Sequence, residues 1–245
     1  MNLKNKSVII TGGASGIGLA TVKKMLKLGA SVMIADWSEN GSIIKNELNN
    51  DNVIFMKTDV SNEEDVKKMI NKTIDAFGKI DVVVSNAGIG GGNLPHEETL
   101  ENWNHILGIN LTGVFLTDKY AIEQMLKQKT GGSIIHMASI LGFVGNPRAF
   151  TYSVAKGGII NMTRSMSLSY AKDNIRVNAI APGYIDTPIL GNMDENTKNM
   201  IIGLHPLGRL GKDTEIADAV CFLASDESSF ITGITMPVDG GYLAQ

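Results

Sequence analysis

The chain carries one cysteine, Cys221, in 245 residues. A disulfide within the chain is therefore excluded, and the composition fits a reducing compartment. Embedded in Ala-Val-Cys-Phe-Leu-Ala, that thiol reads as buried packing rather than as a nucleophile. No apolar run is long enough to span a bilayer and no signal segment precedes the first predicted strand, so no membrane partner and a cytoplasmic location are expected. Clusters of one charge are also missing. The 22 Lys and Arg are scattered against 25 Asp and Glu for a net charge of −3, which predicts no nucleic-acid groove. The four histidines, His96, His105, His136 and His205, show no metal-ligand spacing, so no metal site is expected. Neither a Pro/Ser-rich linker nor an internal repeat divides the chain, which predicts one domain over residues 1–245.

What is present is an alternation of short β-branched runs with helical patterns. Ser7 to Ile10 reads as a strand, and Thr11-Gly-Gly-Ala-Ser-Gly-Ile-Gly18 follows it directly. A helix comes next, with Val22, Met25, Leu26 and Gly29 on one face. Glycines between a strand and a helix let backbone approach a pyrophosphate, while the helix N-terminus offers free N–H groups and a positive dipole end. A second strand, Ser31 to Ala35, ends at Asp36. An acidic residue about twenty positions past the glycines is placed to accept hydrogen bonds from the adenosine ribose hydroxyls, and would repel a 2′-phosphate. No Arg or Lys at Gly13 to Ser15, Trp37 or Ser38 compensates, so NAD is favoured over NADP.

Further along, Val53 to Lys57, Asp81 to Ser85, Ser133 to Met137, Ile175 to Ile180 and Ile234 to Val238 complete about seven strands. Between them, Val66, Met69, Ile70, Thr73, Ile74 and Phe77 mark one helix face, with Ser61 or Asn62 as its cap. Trp103 to Gln128 reads as helix with an interruption near Gly108 to Gly113, where Asn110 either holds a kink or orders a water. Strands alternating with helices predict a single-domain Rossmann-type α/β fold, a doubly wound parallel sheet with helices on both faces.

Tyr152 and Lys156 lie four apart, so on a helix both project from one face. A free phenol titrates at about 10, too high for an efficient base at neutral pH. A neighbouring ammonium favours the phenolate, and such a tyrosine can take a proton from an alcohol or return one to a carbonyl. Ser139, delivered from a strand end, can hydrogen-bond the substrate oxygen.

In this order and spacing, Thr11-Gly-x-x-x-Gly-x-Gly18, Asp36, Asp59-Val60, Asn86-Ala-Gly88, Asn110, Ser139, Tyr152-x-x-x-Lys156, Pro182-Gly183 and Thr187 closely resemble the short-chain dehydrogenase/reductase family over essentially the whole chain. One departure is Ser85, where the family usually has the first Asn of Asn-Asn-Ala-Gly. The resemblance implies an NAD-dependent oxidoreductase interconverting a secondary alcohol and a ketone. Tyr152 would be general acid/base, Ser139 would steady the substrate oxygen, and Lys156 would tune Tyr152 and bind the nicotinamide ribose. Asn110 would hold a proton-relaying water. The implied cofactor residues are Gly12, Ser15, Gly16, Ile17, Gly18, Asp36, Trp37, Asp59, Val60, Asn86, Ala87, Gly88, Tyr152, Lys156, Pro182, Gly183, Ile185 and Thr187, and the implied assembly is a homotetramer or homodimer.

For the substrate, residues 184–210 suggest a lid carrying Ile189, Leu190, Met193, Met200, Ile201, Ile202 and Leu204, with Ile140, Leu141, Phe143 and Phe150 adding to an apolar pocket. Arg148 is either a contact for an anionic substrate or an exposed arginine. Two alternatives stand beside the alcohol dehydrogenase: an NADPH-dependent 3-oxoacyl-(acyl-carrier-protein) reductase docking its partner on Lys127, Lys129 and Lys172, and a non-catalytic NAD(H)-sensing protein.

Overall fold

The computed structural model describes residues 1–190 and 194–245, without the side chain of Ile189. Its strands are β1 (Ser7–Thr11), β2 (Ser31–Asp36), β3 (Val53–Lys57), β4 (Val82–Ser85), β5 (Gly132–Met137), β6 (Ile175–Pro182) and β7 (Thr235–Val238). They form one sheet in the order β3-β2-β1-β4-β5-β6-β7, with every pair parallel. Pro237, which lacks an N–H, sits in the edge strand β7, where a missing ladder donor is tolerated.

The central strands are buried at every position, and alternate residues pack on opposite faces of the sheet. Val8, Ile10, Val32 and Ile34 pack with Val22 and Met25 of α1 (Gly16–Lys27) and with Ile216 and Val220 of the last helix. Their neighbours Ile9, Met33 and Val83 turn the other way. They meet Val66, Met69 and Ile70 of α3 (Glu63–Phe77) and Leu116, Ile122 and Met125 of α5 (Gly113–Gln128). Between these lie α2 (Asn40–Leu48) and α4 (Leu100–Leu107); α6 (Phe150–Tyr170), α7 (Glu195–Gly203) and α8 (Asp213–Ala224) follow. The doubly wound α/β architecture expected from the strand–helix alternation is the one observed. No described helix is long and apolar enough to cross a membrane.

β1 has β2 on one side and β4 on the other, so the chain reverses its direction of winding there. The loops leaving the two strands' C-terminal ends diverge and open a crevice. The glycine turn after β1 and Asn86-Ala-Gly88 after β4 flank it, and β5 and β6 deliver Ser139 and Pro182-Gly183 along the same edge. The expected interruption at Gly108 is a π-helical turn, Gly108–Thr112, joining α4 to α5.

Candidate active site

One cleft of about 910 Å³ runs along the C-terminal edge of the sheet. It is lined by every residue that the sequence named for catalysis or cofactor binding, Asn110, Ser139, Tyr152 and Lys156 included.

At the β1 end, the turn is built for backbone contact. Gly12 (φ 63°) and Gly16 (φ 48°) occupy left-handed conformations, and a side chain on Gly18 would overlap the Gly12 carbonyl and the Asn86 amide. Helix α1 then starts without a side-chain cap and without an acidic residue in its first turn. The contrast with α3 is direct: Asn62 caps that helix and Glu63, Glu64 and Asp65 neutralise its first turn. The α1 N–H groups therefore face the cleft as an anion cradle that fits a pyrophosphate.

Asp36 is held at the end of β2 by N–H groups of Ala14 and Ser38, which donate to its two oxygens at 2.9 Å each. β2–β3 pairing sets Lys57 opposite Asp36 and near the Trp37 ring, but that ammonium is paired with Glu39 at 3.0 Å. Asp59 is a turn residue as well as part of the lining, since its Oδ1 accepts from the Ser61 N–H at 2.9 Å.

At the other end, α6 brings Tyr152 and Lys156 onto one face. Lys156 is 3% exposed and donates from Nζ to the Met137 carbonyl at 2.7 Å. Burial lowers its pKa to about 8. The ammonium also lies 5.3 Å from the centroid of the Tyr152 ring. Tyr152 departs from expectation in direction: burial pushes its phenol above the ordinary value, the facing Ser139 hydroxyl works the other way, and the Tyr184 charge adds to the rise. The ammonium is aimed at Met137 rather than at the phenol oxygen, so desolvation wins.

Asn110 has backbone partners on both sides of its amide. Its Nδ2 donates to the carbonyls of Ile106 and Ile89, at 3.0 Å each, while its Oδ1 accepts from the Ile89 N–H at 3.2 Å. The amide thus fastens the π turn to the strand β4 loop. Gly88 lies against it, where a Cβ would come within 2.6 Å of Asn110 Oδ1.

The pocket expectation divides. Ile140, Leu141 and Leu190 line the cleft; Phe143 is 43% exposed, and Phe150 stacks on Trp103 at 5.7 Å instead. In α7, Ile201 is buried in the protein while Met200 is 63% exposed, so an amphipathic helix is present but Met200 and Leu204 face solvent rather than the cleft. Met193 and the Ile189 side chain lie outside the described residues. Arg148 is exposed and not part of the lining. Lys129 and Lys172 precede β5 and β6, at the opposite sheet edge from the cleft.

Sequence reasoning missed His105, Asn146 and Ala149 in the lining and Tyr184 as a partner of Tyr152. It also missed Glu98, which accepts from the Thr151 hydroxyl at 2.5 Å and from the Asn93 N–H at 3.1 Å. The Thr151 bond first, then one from the Asn102 amide at 2.6 Å and those of Asn93, hold its carboxyl at about 2, and the Thr151 bond ties the loop after β4 to the first turn of α6. None of the five has a local signature; only their places between recognised motifs marked them.

Against known proteins, the family model described as enoyl-(acyl carrier protein) reductase matches residues 12–243. The chain is 40% identical to a cis-4-hydroxycyclohexanecarboxylate dehydrogenase of Sinomonas cyclohexanicum, with 96% of each chain covered. It is 38% identical to a 3-oxoacyl-(acyl-carrier-protein) reductase of Thermotoga maritima, over 98% of this chain and 99% of that one. A third relative, an NADP-dependent (R)-specific alcohol dehydrogenase of Lentilactobacillus kefiri, is 40% identical over 99% of this chain and 98% of its own. With the glycine cradle, the Tyr152–Lys156 pair and full-length likeness together, the chain belongs to the short-chain dehydrogenase/reductase family, as an oxidoreductase acting on CH–OH groups with a nicotinamide cofactor.

Proposed function

We propose that the protein is an NAD-dependent dehydrogenase that interconverts an uncharged secondary alcohol of ring size and its ketone. The observation that carries this reading is that Tyr152, Ser139 and Lys156 line the same cleft as the glycine turn and Asp36. Gly12 to Gly18 and the α1 N-terminus hold the pyrophosphate, Asp36 accepts from the adenosine ribose, and Trp37, Asp59 and Val60 border the adenine. Asn86, Ala87, Gly88, Pro182, Gly183, Ile185 and Thr187 border the nicotinamide half. When bound, the nicotinamide supplies or takes the hydride. Tyr152 moves the proton at the substrate oxygen, Ser139 orients that oxygen, and Lys156 binds the adjoining ribose. Asn110 keeps the π turn against the loop that carries Gly88.

Among the described residues, no Lys or Arg other than Lys156 lines the cleft, and Lys156 gives one N–H to Met137 and is assigned above to the ribose. A carboxylate on the substrate, as in the name of the Sinomonas relative, would find no dedicated cation there, which favours cyclic alcohols and diols. The lysines suggested as a carrier-protein dock are on the far edge of the sheet, which weighs against the acyl-carrier reading. Exposed Phe115, Leu168 and Phe230 support a homo-oligomer.

The test is absorbance of reduced nicotinamide while NAD or NADP is offered with cyclohexanols, cyclic diols, sugars, hydroxysteroids and 4-hydroxycyclohexanecarboxylate, and the reverse with ketones and acetoacetyl thioesters. Turnover with NAD and uncharged ring alcohols is expected. NADPH-dependent thioester reduction would replace this reading with the acyl-carrier one, and tight dinucleotide binding without any turnover would favour a sensor.

A further inference from the structure

The Ser85 departure and the unassigned His136 meet in the protein interior. Asp118 on α5 and His136 on β5 are both 0% exposed, and His136 Nε2 lies 2.7 Å from Asp118 Oδ2. On its other side His136 Nδ1 is 2.8 Å from the Thr163 hydroxyl of α6. Ser85, the last residue of β4, donates its hydroxyl to Asp118 Oδ1 at 2.9 Å. Thr163 also donates to the Ile159 carbonyl at 2.8 Å. The four side chains thus form one continuous buried chain of hydrogen bonds, Ser85 to Asp118 to His136 to Thr163, in which no polar side-chain atom is left unpaired.

Each member sits in an element that carries or adjoins a working residue. Ser85 directly precedes Asn86-Ala-Gly88, and Asp118 is eight residues after Asn110. His136 directly precedes Met137, whose carbonyl holds Lys156, and is three residues before Ser139. Thr163 follows Lys156 by seven residues and Tyr152 by eleven, a spacing that keeps all three on one helix face. β5 therefore grips α6 at two points, through the His136 side chain on Thr163 and through the Met137 carbonyl on Lys156.

We propose that Ser85, Asp118, His136 and Thr163 are positioning residues: the buried network fixes the height and rotation of α6 on β5, and so sets where Tyr152 and Lys156 stand relative to Ser139. Rigid side-chain networks of this kind hold reacting groups in register, and a misplacement of about 1 Å can lower a rate about 100-fold. The inference rests on the dehydrogenase reading above.

Thr163→Val keeps the shape of the side chain and removes the hydroxyl that meets His136. It is expected to lower kcat about tenfold or more while KM and the dinucleotide Kd stay within about twofold. Thr163→Ser, which restores the hydroxyl, is expected to recover kcat. Ser85→Ala opens the other end of the network and is expected to lower kcat in the same direction, which keeps the inference open to refutation if Thr163→Val fails to fold. A readout that needs no substrate runs alongside: the Cε resonance of Lys156 in lysine-labelled protein is expected to move in Thr163→Val and to return in Thr163→Ser. If Thr163→Val only lowers the unfolding midpoint, with kcat and the Lys156 resonance unchanged well below that midpoint, the network is merely structural and the proposal is overturned. A wild type without turnover on any alcohol or ketone would instead remove the dehydrogenase reading. The Lys156 resonance would then decide the positioning role, an unmoved signal rejecting it.

Discussion

Lys156→Met should stabilise the protein while abolishing its activity. The ammonium is 3% exposed, has no carboxylate partner, and donates to one carbonyl at 2.7 Å. Its pKa falls from 10.5 to about 8 through burial alone. At about 1.4 kcal/mol for each pKa unit, that gap means the buried charge costs about 3 kcal/mol at neutral pH. Methionine, unbranched and of similar length, fills the same channel and gives up one charge-assisted hydrogen bond worth about 2 kcal/mol. The net expectation is a gain of about 1 kcal/mol, or about 2–4 °C in Tm for a chain of this size. The sign with pH follows from linkage. The folded pKa lies below the unfolded one, so between about 8 and 10.5 the unfolded chain binds more protons and the wild type gains stability as pH rises. Below about pH 8 the penalty is fully present; by about pH 10 most of it is gone, and the advantage of the variant should shrink or reverse. Thermal unfolding of both proteins across this range, with turnover measured in parallel, is the assay. A variant less stable than wild type near neutral pH, or a stability difference that does not change with pH, would refute the reasoning.

Tyr152→Phe removes the proton donor and should lower kcat by about 10²–10⁴-fold, with dinucleotide binding measured by fluorescence titration nearly unchanged; comparable turnover would sink the assignment. Asp36→Ala should weaken NAD more than NADP. Because Asp36 also braces Ala14 and Ser38, both affinities will fall, and the ratio is the quantity to read: an unchanged ratio would remove Asp36 from the ribose. The standing form of Tyr152 is the protonated phenol, held there chiefly by burial. Alcohol oxidation, which needs that proton gone, should accelerate with rising pH while ketone reduction does not; an oxidation rate flat across the alkaline range would contradict this.

How much of this was legible in the sequence depends on the range over which each feature is determined. Helix faces were readable because Val66, Met69 and Ile70 repeat with the helical period, and strands because Val8, Ile9 and Ile10 form a continuous β-branched run of the kind that a sheet buried on both faces requires. The cradle was readable because its requirement is local: glycines where no Cβ fits, next to a helix start. Asn110 was half readable, since a polar amide between two glycines signals an irregular turn but does not say whether its partners are backbone or water. The α7 face was not legible, as an apolar stripe looks the same whether it meets the cleft or solvent, and nothing in Met200 itself distinguishes them. Ser85, Asp118, His136 and Thr163 lie 18 to 33 residues apart along their contacts and were invisible as a set. Only the fold brings them together.

The two ends of the cleft are thereby built on different physical principles, and this bears on where specificity resides. The dinucleotide end is made of backbone: positive-φ glycines, free N–H groups of α1 and one carboxylate fixed by two N–H donors. Such a surface tolerates little variation, because any Cβ at Gly18 collides with main chain. The substrate end is made of side chains from separate segments, with Ile140 and Leu141 before α6, Asn146 in the intervening loop, and Tyr184 and Leu190 beyond β6. Tyr184 is itself raised chiefly by burial, with Tyr242 adding and the Asn146 side chain opposing, so it stands as a neutral phenol beside Tyr152 in the same cleft. A substrate hydroxyl or carbonyl that engages Asn146 and Tyr184 would therefore alter the electrostatic setting of the proton-transferring phenol as well as the fit of the ring. Selection of the substrate and tuning of Tyr152 are coupled through that pair, so changes at Tyr184 should appear in kcat and its pH dependence, and not in KM alone.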